Sequence, residues 1–264
     1  MKSYRAVLFD LFSTVALFQA ERLPLFAWKG QTARSTMGGL RAMIEEKVTA
    51  APFEQFFAAL SEVNREFAER RARDMREIPS RQRFESALVR VGYPSGEATQ
   101  RLAQELSLTH MGLLAQATEI PAAHIRFLKR VHAAYPVALV SNFDHGPTAR
   151  LIVDRDGAAP YFHQIVISDD HGWRKPHPKI FTDTLELLQV AARDALFVGD
   201  SPHDDVMGAK RAGLDTAWVN AAGADLPEGI PTPDYTVRAI PELEPILFAQ
   251  GRLRRNDDTA DSGG

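Results

Sequence analysis

The sequence of 264 residues contains no cysteine. This absence excludes disulfides, thiolate nucleophiles and zinc or iron–sulfur sites built on thiolates. Any nucleophile in this chain must therefore be an oxygen or a nitrogen. A chain without cysteine also fits a reducing compartment, and we expect a cytoplasmic protein.

The chain also lacks a long hydrophobic run and an excess of positive charge. Its most apolar early stretch, Ala6–Phe18, is too short to cross a bilayer and contains Asp10. The formal net charge of -3 at pH 7 gives no electrostatic basis for binding nucleic acid. We therefore expect no membrane and no nucleic-acid partner, and small-molecule chemistry instead.

What the chain does contain is the composition of an ordinary globular protein. Apolar residues make up 45% of it and charged residues 25%, which excludes collagen-like and disordered classes. Its length is sufficient to bury one sizeable core and a smaller second one. The sequence leaves the choice between a monomer and a homodimer open.

Five short apolar runs each end in polar residues, and helical patterns separate several of them. The runs are Ala6–Phe9, Val137–Val140, Ile165–Ile167, Ala195–Val198 and Thr216–Val219, and the helical patterns include Ala122–Ala134, Pro178–Val190 and Asp204–Ala212. Alternating strands and helices predict an α/β fold with a mainly parallel sheet covered on both faces. In such a sheet, ligands bind at the carboxyl ends of the strands, where these polar residues converge.

This alternation is interrupted between residues 17 and 116, where the pattern is helical throughout. We therefore predict a core of residues 1–16 and 117–250 with a helical insertion over the tip of the first strand. Within the insertion, alternating charges over residues 65–76 predict a solvated helix face with i,i+4 ion pairs. Residues 251–264 have too little apolar content to order, and we expect a disordered tail.

Asp10 directly follows the first predicted strand, which places its carboxylate at the edge of the sheet. There it can act as a nucleophile or a metal ligand, although aspartates at strand ends also serve as turn or capping residues. A second acidic group, Asp200, Asp204 and Asp205, places three carboxylates within six residues. Such a group repels itself unless a cation neutralises it, although Asp204 and Asp205 could also complement a helix N-terminus.

Two further polar sites follow predicted strands or precede helices. Ser141 and Asn142 offer a hydroxyl and an amide to an oxyanion at the end of a strand. Lys175 offers a positive charge just before a helix start. Taken singly, each feature has an ordinary structural explanation, because a Ser-Asn pair is usually a turn and a lysine before proline is usually a solvated loop residue.

The order of these four signals resembles that of the haloacid dehalogenase superfamily of hydrolases. The matching segments are Phe9–Thr14, Ser141–Asn142, Lys175–Pro178 and Gly199–Gly213, and the resemblance covers residues 4 to about 222. It implies a Rossmann-like, three-layer, doubly wound parallel sheet. It also implies that residues 17–116 are a helical cap domain inserted after the first motif, as in subfamily I.

The resemblance implies a role for each matching residue. Asp10 would attack the substrate, and water would then hydrolyse the aspartyl intermediate. Ser141 and Lys175 would hold the transferring group, and Asp205 would orient Lys175 or the waters of the metal. Thr14 and Asn142 would contact the substrate, while Mg²⁺ would bind Asp10, Asp200 and the backbone carbonyl of Phe12.

One position departs from the pattern of the family's phosphatases. They carry an aspartate two residues after the nucleophile as general acid, where this chain has Phe12. Phenylalanine cannot transfer a proton, so a contribution of about 10²–10⁴-fold in rate is missing. Acyl or aryl phosphates, which have better leaving groups, would suffer less than alkyl phosphates.

Three functions are therefore compatible with these residues. An aromatic residue at position 12 also resembles the family's 2-haloacid dehalogenases, and in such an enzyme Phe12 would face the substrate. Those dehalogenases, however, have serine where this chain has Asp200. A magnesium-dependent phosphohydrolase of small, anionic phosphorylated metabolites fits Asp200 better, because an extra carboxylate would repel a haloacid. The third function is a non-catalytic module that keeps the fold. In each case Arg41, close to Gly38–Gly39, is a candidate substrate contact.

Overall fold

The computed structural model describes residues 3–248. The predicted tail, 251–264, and the last two residues of the predicted core, 249–250, lie outside the described residues. Within residues 3–248, every helix is too short or too polar to pass through a lipid bilayer.

The strands are β1 (Ala6–Phe9), β2 (Leu17–Phe18), β3 (Leu25–Trp28), β4 (Gln31–Arg34), β5 (Thr118–Glu119), β6 (Val137–Ser141), β7 (Gln164–Ile167), β8 (Ala195–Gly199), β9 (Asp215–Val219) and β10 (Tyr235–Val237). Six of them form a parallel sheet in the order β10-β9-β8-β1-β6-β7. The five predicted strands are all present. The sixth, β10, escaped prediction because a three-residue edge strand leaves almost no periodic signal.

The α-helices are α1 (Thr36–Lys47), α2 (Phe53–Asp74), α3 (Ser80–Arg90), α4 (Glu97–Gln116), α5 (Ala122–Ala134), α6 (Gly146–Arg155), α7 (Ser168–His171), α8 (Pro178–Leu188), α9 (Gly208–Arg211) and α10 (Glu244–Phe248). A π-helical turn, Pro202–Met207, precedes α9, and single 3₁₀ turns lie at Ala20–Arg22, Ala159–Tyr161, Ala192–Asp194 and Ile240–Leu243.

The central strand β1 is buried on both faces of the sheet. Val7 and Phe9 pack into a cluster with Phe127 of α5, whereas Leu8 packs on the opposite face with Phe181 of α8. The chain runs from β1 outward through β6 and β7, then returns to β8 and runs outward in the other direction. These features confirm the three-layer, doubly wound α/β fold and place the reversal of strand order between β1 and β8.

The insertion is not helical throughout, and the prediction was wrong in this respect. Strands β3 and β4 form an antiparallel hairpin in which Trp28 pairs with Gln31. The two turn residues, Lys29 and Gly30, both have positive φ, 48° and 78°, as a type I′ turn requires. The hairpin escaped prediction because a single glycine after a lysine is a weak turn signal beside strong helical periodicity.

The helices and hairpin of the insertion pack around their own apolar cluster, which includes Phe56, Phe84 and Leu106. Both connections to the sheet run side by side, because Leu17 of β2 pairs with Glu119 of β5 in antiparallel register. The domain boundaries at residues 16 and 117 stay a prediction.

Candidate active site

Asp10 lies at the carboxyl end of β1, where the strand order of the sheet reverses. Its backbone N–H donates to the carbonyl of Val198 at 2.8 Å, which continues the β1–β8 pairing to the last residue of the strand. The chain then turns sharply: Ser13 has a φ of 58°, and the Ala16 N–H donates back to the Leu11 carbonyl at 2.7 Å. The Asp10 carboxylate is therefore held at the sheet edge, as predicted for a residue at this position.

The ammonium group of Lys175 lies between two carboxylates in the interior. Its Nζ is 2.6 Å from Asp10 Oδ1 and 2.7 Å from Asp205 Oδ1, and it donates to the Val140 carbonyl at 2.8 Å. The Lys175 side chain is only 2% exposed, which is sustainable for an ion only with such partners. Three residues that are distant in the sequence thus form one ion-pair cluster.

Asp205 reaches this cluster because the chain after β8 forms a tight, hydrogen-bonded turn. The Ser201 side chain accepts from the Asp204 N–H, and the Ser201 N–H donates to Asp205 Oδ2 at 2.9 Å. The Asp205 carboxylate lies directly against Gly199, where any Cβ atom would overlap it. Only glycine at position 199 leaves this carboxylate in place.

Three groups of the site, Asp10, Asp200 and Lys175, have shifted pKa values. Burial raises the pKa of Asp10 to about 7, with Lys175 opposing the shift and Asp205 and Asp200 adding to it. Burial, and then repulsion from Asp205, raise the pKa of Asp200 to about 6. Burial alone would lower the pKa of Lys175, but Asp10 and Asp205 outweigh burial and raise it. The site thus holds more negative charge than one ammonium group balances.

A divalent cation fits this excess of negative charge. Asp10, Asp200 and Asp205 each offer a carboxylate oxygen, and these oxygens lie within 4.8 Å of one another. Clustered carboxylate oxygens are typical ligands of Mg²⁺ and other hard cations. The predicted contribution of the Phe12 carbonyl stays a prediction.

Ser141 and Thr14, which the sequence predicts to contact the substrate, are both buried. The Oγ atom of Ser141 and the Oγ1 atom of Thr14 are buried and have no hydrogen-bond partner among residues 3–248. Buried polar atoms are rarely left without a partner, because each costs about 1–3 kcal/mol. Both hydroxyls are therefore suited to donate to the oxygens of a bound anion.

The side-chain amide of Asn142, predicted to contact the substrate, makes three hydrogen bonds within the protein. Its Nδ2 donates to the Lys175 carbonyl at 2.8 Å and to Asp204 Oδ2 at 3.1 Å, and its Oδ1 accepts from the Lys175 N–H at 2.8 Å. The amide thus fixes the backbone of Lys175. A direct contact between Asn142 and a substrate stays a prediction.

The other two predicted substrate contacts are Phe12 and Arg41. The Phe12 ring packs on Phe143, with 4.7 Å between ring centroids, and forms an apolar wall. Arg41, on α1, pairs with Glu45 at 2.8 Å and lies over the Phe53 ring. The structure therefore does not bring Arg41 into contact with Asp10 or Lys175.

The charged stretch at residues 65–76 only partly forms the predicted solvated face. Arg65 and Glu69 make the expected exposed i,i+4 pair at 3.5 Å. Arg71 instead turns inward to Glu77 and Asp144, both at 3.0 Å. Its inward contacts escaped prediction because i,i+4 spacing reports only neighbours on one helix. The signal that could have indicated them is Ile78-Pro79-Ser80. A helix start at this position implies that the preceding helix ends earlier, so that residues after it can fold back on Arg71.

Comparisons with known proteins identify the family of this chain. The model of the family described as haloacid dehalogenase-like hydrolase matches residues 4–213. Pyrimidine 5'-nucleotidase YjjG of Escherichia coli (strain K12) is 31% identical over 166 residues, which cover 62% of this chain and 69% of that protein.

Two solved structures share the fold. A 2-haloacid dehalogenase from Pseudomonas syringae pv. Tomato DC3000 has a TM-score of 0.70 at 24% identity, covering 93% of this chain and 98% of its own. The magnesium-bound HAD-hydrolase YfnB of Bacillus subtilis has a TM-score of 0.61, also at 24% identity, covering 93% and 99%. At this identity the two structures show the fold alone. The family match spans Asp10, Ser141, Lys175 and Asp205, and the chain belongs to the haloacid dehalogenase-like hydrolases.

Proposed function

We propose that this protein is a magnesium-dependent phosphohydrolase of small phosphorylated metabolites. The observation that carries the proposal is the group of three carboxylates, Asp10, Asp200 and Asp205, in which Asp200 has no cation of its own among the described contacts. A bound divalent cation would neutralise this group together with a phosphoryl group. The family membership of the chain supports hydrolysis as the reaction type.

Asp10 is the nucleophile in the proposed reaction. Lys175 holds Oδ1 of the carboxylate, so Oδ2 is the oxygen that attacks phosphorus. A bond forms between Oδ2 and phosphorus while the bond from phosphorus to the leaving oxygen breaks. Water then attacks the aspartyl phosphate, which releases inorganic phosphate and restores the carboxylate.

The surrounding residues stabilise the charge that develops on the phosphoryl oxygens. The Ser141 hydroxyl donates a hydrogen bond to these oxygens, the Thr14 hydroxyl adds a second donor, and the Lys175 ammonium adds positive charge beside them. Asp205 keeps the ammonium in place through its contact at 2.7 Å. When bound, Mg²⁺ would be held by Asp10, Asp200 and the Phe12 carbonyl and would supply positive charge at the transferring group.

Phe12 restricts the substrates of this site. The ring packs on Phe143 where the family's phosphatases have their general acid, so the protein supplies no proton to the leaving oxygen there. Acyl and aryl phosphates need no such proton, because their leaving groups are already stable as anions. We therefore propose these two classes as the preferred substrates.

Replacing Phe12 with aspartate tests this restriction. We expect Phe12→Asp to raise kcat for an alkyl phosphate about tenfold or more relative to kcat for acetyl phosphate, because it restores a proton donor. Phe12→Asn is the matched control, since its amide has similar size without an acidic proton. Phosphate release from both substrates is the measurement. An equal change for both substrates, or an equal gain in the asparagine variant, would contradict the expectation.

Dehalogenation is the second candidate, and the observation that favours it is the aromatic residue at position 12. The same Asp10 carboxylate would displace halide from carbon, and the resulting ester would be hydrolysed. Asp200 opposes this reaction, because its half-buried carboxylate repels an anionic haloacid. A non-catalytic role is a third possibility, but Asp10, Ser141 and Lys175 are all retained.

The deciding experiment measures two products in parallel. We expect phosphate release from an aryl and an acyl phosphate with Mg²⁺, its loss with a chelator, and no halide from 2-chloropropionate. Asp200→Asn should raise the Mg²⁺ concentration for half-maximal rate more than about tenfold, since even outer-shell substitutions cost about 10–100-fold in metal affinity. Asp225→Asn, at an exposed loop position, is the matched control.

The possible results separate the three functions. Halide release that needs no metal would replace the proposed function with dehalogenation. Silence in both assays, together with Mg²⁺ binding, would indicate the non-catalytic module. Unchanged Mg²⁺ dependence in Asp200→Asn would remove Asp200 from the metal site.

A further inference from the structure

A short segment of the insertion, Met75–Ser80, rests on two loops of the core. The Glu77 N–H donates to the Gly172 carbonyl at 3.1 Å, and the Arg174 N–H donates to the Met75 carbonyl at 2.9 Å. The Ser80 N–H donates to the Asp144 carbonyl at 2.8 Å. The segment therefore contacts one loop just before Lys175 and another just after Asn142.

The side chain of Glu77 lies at the centre of this contact and is only 1% exposed. Its carboxylate accepts hydrogen bonds from the Arg174 guanidinium and the Ser168 hydroxyl, and it forms an ion pair with Arg71 Nε at 3.0 Å. A buried carboxylate is costly unless its oxygens have such partners. The positions of these partners are in turn determined by the carboxylate.

Each of the two core partners of Glu77, Arg174 and Ser168, is adjacent to or hydrogen-bonded to a segment next to a predicted catalytic residue. Arg174 directly precedes Lys175 in the chain. The Ser168 hydroxyl accepts from the Phe143 N–H at 2.9 Å, and Phe143 follows the Ser141–Asn142 pair. The Glu77 carboxylate thus connects the loop that contains Lys175 with the loop that follows Ser141.

Other contacts around Glu77 strengthen the same connection. Arg71 also pairs with Asp144 at 3.0 Å, next to Phe143. On the outer side, the Arg76 guanidinium lies 3.4 Å from the centroid of Trp173, which stacks at 3.7 Å on His177. Residues on both sides of the Lys175 loop are therefore held by the Met75–Ser80 segment.

We propose that Glu77 is a positioning residue of the phosphoryl-transfer site. Through Arg174 and Ser168 it holds Lys175 and Ser141 at the distance from Asp10 that the reaction needs. The inference rests on the proposed phosphohydrolase function. It assigns to the insertion a part in organising the catalytic groups themselves, because the two loops lose a shared partner when the Glu77 carboxylate is removed.

The test replaces the carboxylate and measures rate, affinity and loop protection. We expect Glu77→Gln to lower kcat for an aryl phosphate with Mg²⁺ about 10–100-fold, as is typical of groups that orient a catalytic residue, while KM changes less than about threefold. Glu77→Asp should recover part of kcat because it retains the charge. Amide hydrogen exchange without substrate should become about tenfold faster or more in segments 142–145 and 168–177.

Glu66→Gln is the matched control. Glu66 lies on α2 and pairs with Arg90 at 2.9 Å on the exposed surface, so the substitution removes the same charge at a distance from both loops. We expect wild-type rate and exchange from this variant. If Glu77→Gln does not fold, Arg174→Met removes one of the two core partners instead and should show the same loss of kcat and of protection.

The outcomes separate this inference from the proposed function. Faster exchange with unchanged kcat would overturn the positioning role, as would unchanged exchange with any effect on kcat. A wild-type protein that releases no phosphate would refute the proposed function. The exchange data, obtained without substrate, would then still decide whether Glu77 holds the two loops: unchanged exchange overturns the inference and faster exchange in both segments supports it.

Discussion

Asp10→Asn should lower the rate of phosphate release about 10⁴-fold or more, because an amide cannot attack phosphorus and losses of this size follow removal of a catalytic nucleophile. The measurement is phosphate release from an aryl phosphate under saturating Mg²⁺. Incubation of the wild-type protein with substrate followed by acid quench should also show a phosphorylated chain by mass spectrometry. The variant should show none.

The same substitution should not weaken the fold. The pKa of Asp10 is raised to about 7, so its ionised form is disfavoured by folding, and the stability associated with its protonated form is lost as the pH rises from about 4 to 7. At pH 8 in chelator, Asp10→Asn lacks this cost, and we expect it to unfold at an equal or higher urea concentration. Asp225→Asn is the control. A lower urea midpoint for Asp10→Asn than for the control would contradict the expectation and would indicate that unfolding causes its inactivity.

Lys175→Met should produce the largest loss of stability among the site variants. The ammonium group is 2.6 Å from Asp10 and 2.7 Å from Asp205, so its removal leaves two buried carboxylates without their shared cation. Breaking a buried ion pair by removing one partner typically costs about 3–5 kcal/mol. Urea unfolding at pH 7.5 in chelator measures the free energy of unfolding.

Two controls show whether charge is the cause. Lys179→Met removes an exposed lysine that pairs with Asp183 at 2.8 Å, and it should change stability by less than about 1 kcal/mol. The double variant Lys175→Met/Asp205→Asn should recover part of the loss, since it also removes one of the unpaired carboxylates. Equal stability of the two lysine variants would contradict the expectation.

The parts of the site that local sequence could predict are those at strand ends. Asp10 and Ser141 each follow an apolar run, and in a parallel sheet such positions must meet at one edge. Lys175 follows no strand directly, so its proximity to Asp10 was predicted from family resemblance alone. The sheet and its two covered faces were predictable for the same reason, because strand and helix periodicities are local properties.

The contacts of Glu77 and Asn142 show what local sequence could not predict. Glu77 lies among many charged residues, and only the tertiary structure distinguishes a side chain that is 1% exposed from its solvated neighbours. The hydrogen bond from the Asn142 amide to the backbone of Lys175, 33 residues away in sequence, likewise has no local signal. Contacts between separate loops depend on how the whole chain packs, which no spacing rule describes.

The strand order has a consequence for how the protein is made. β1 lies at the centre of the sheet, yet Val7 pairs with Val137 and Ala6 pairs with Ala195. During synthesis on the ribosome, β1 emerges before both of its neighbours and must wait for them, whereas α1–α4 can already pack on one another. Asp10 and Asp205 can therefore meet only after residue 205 has been translated, and a shorter nascent chain lacks the complete ion-pair cluster.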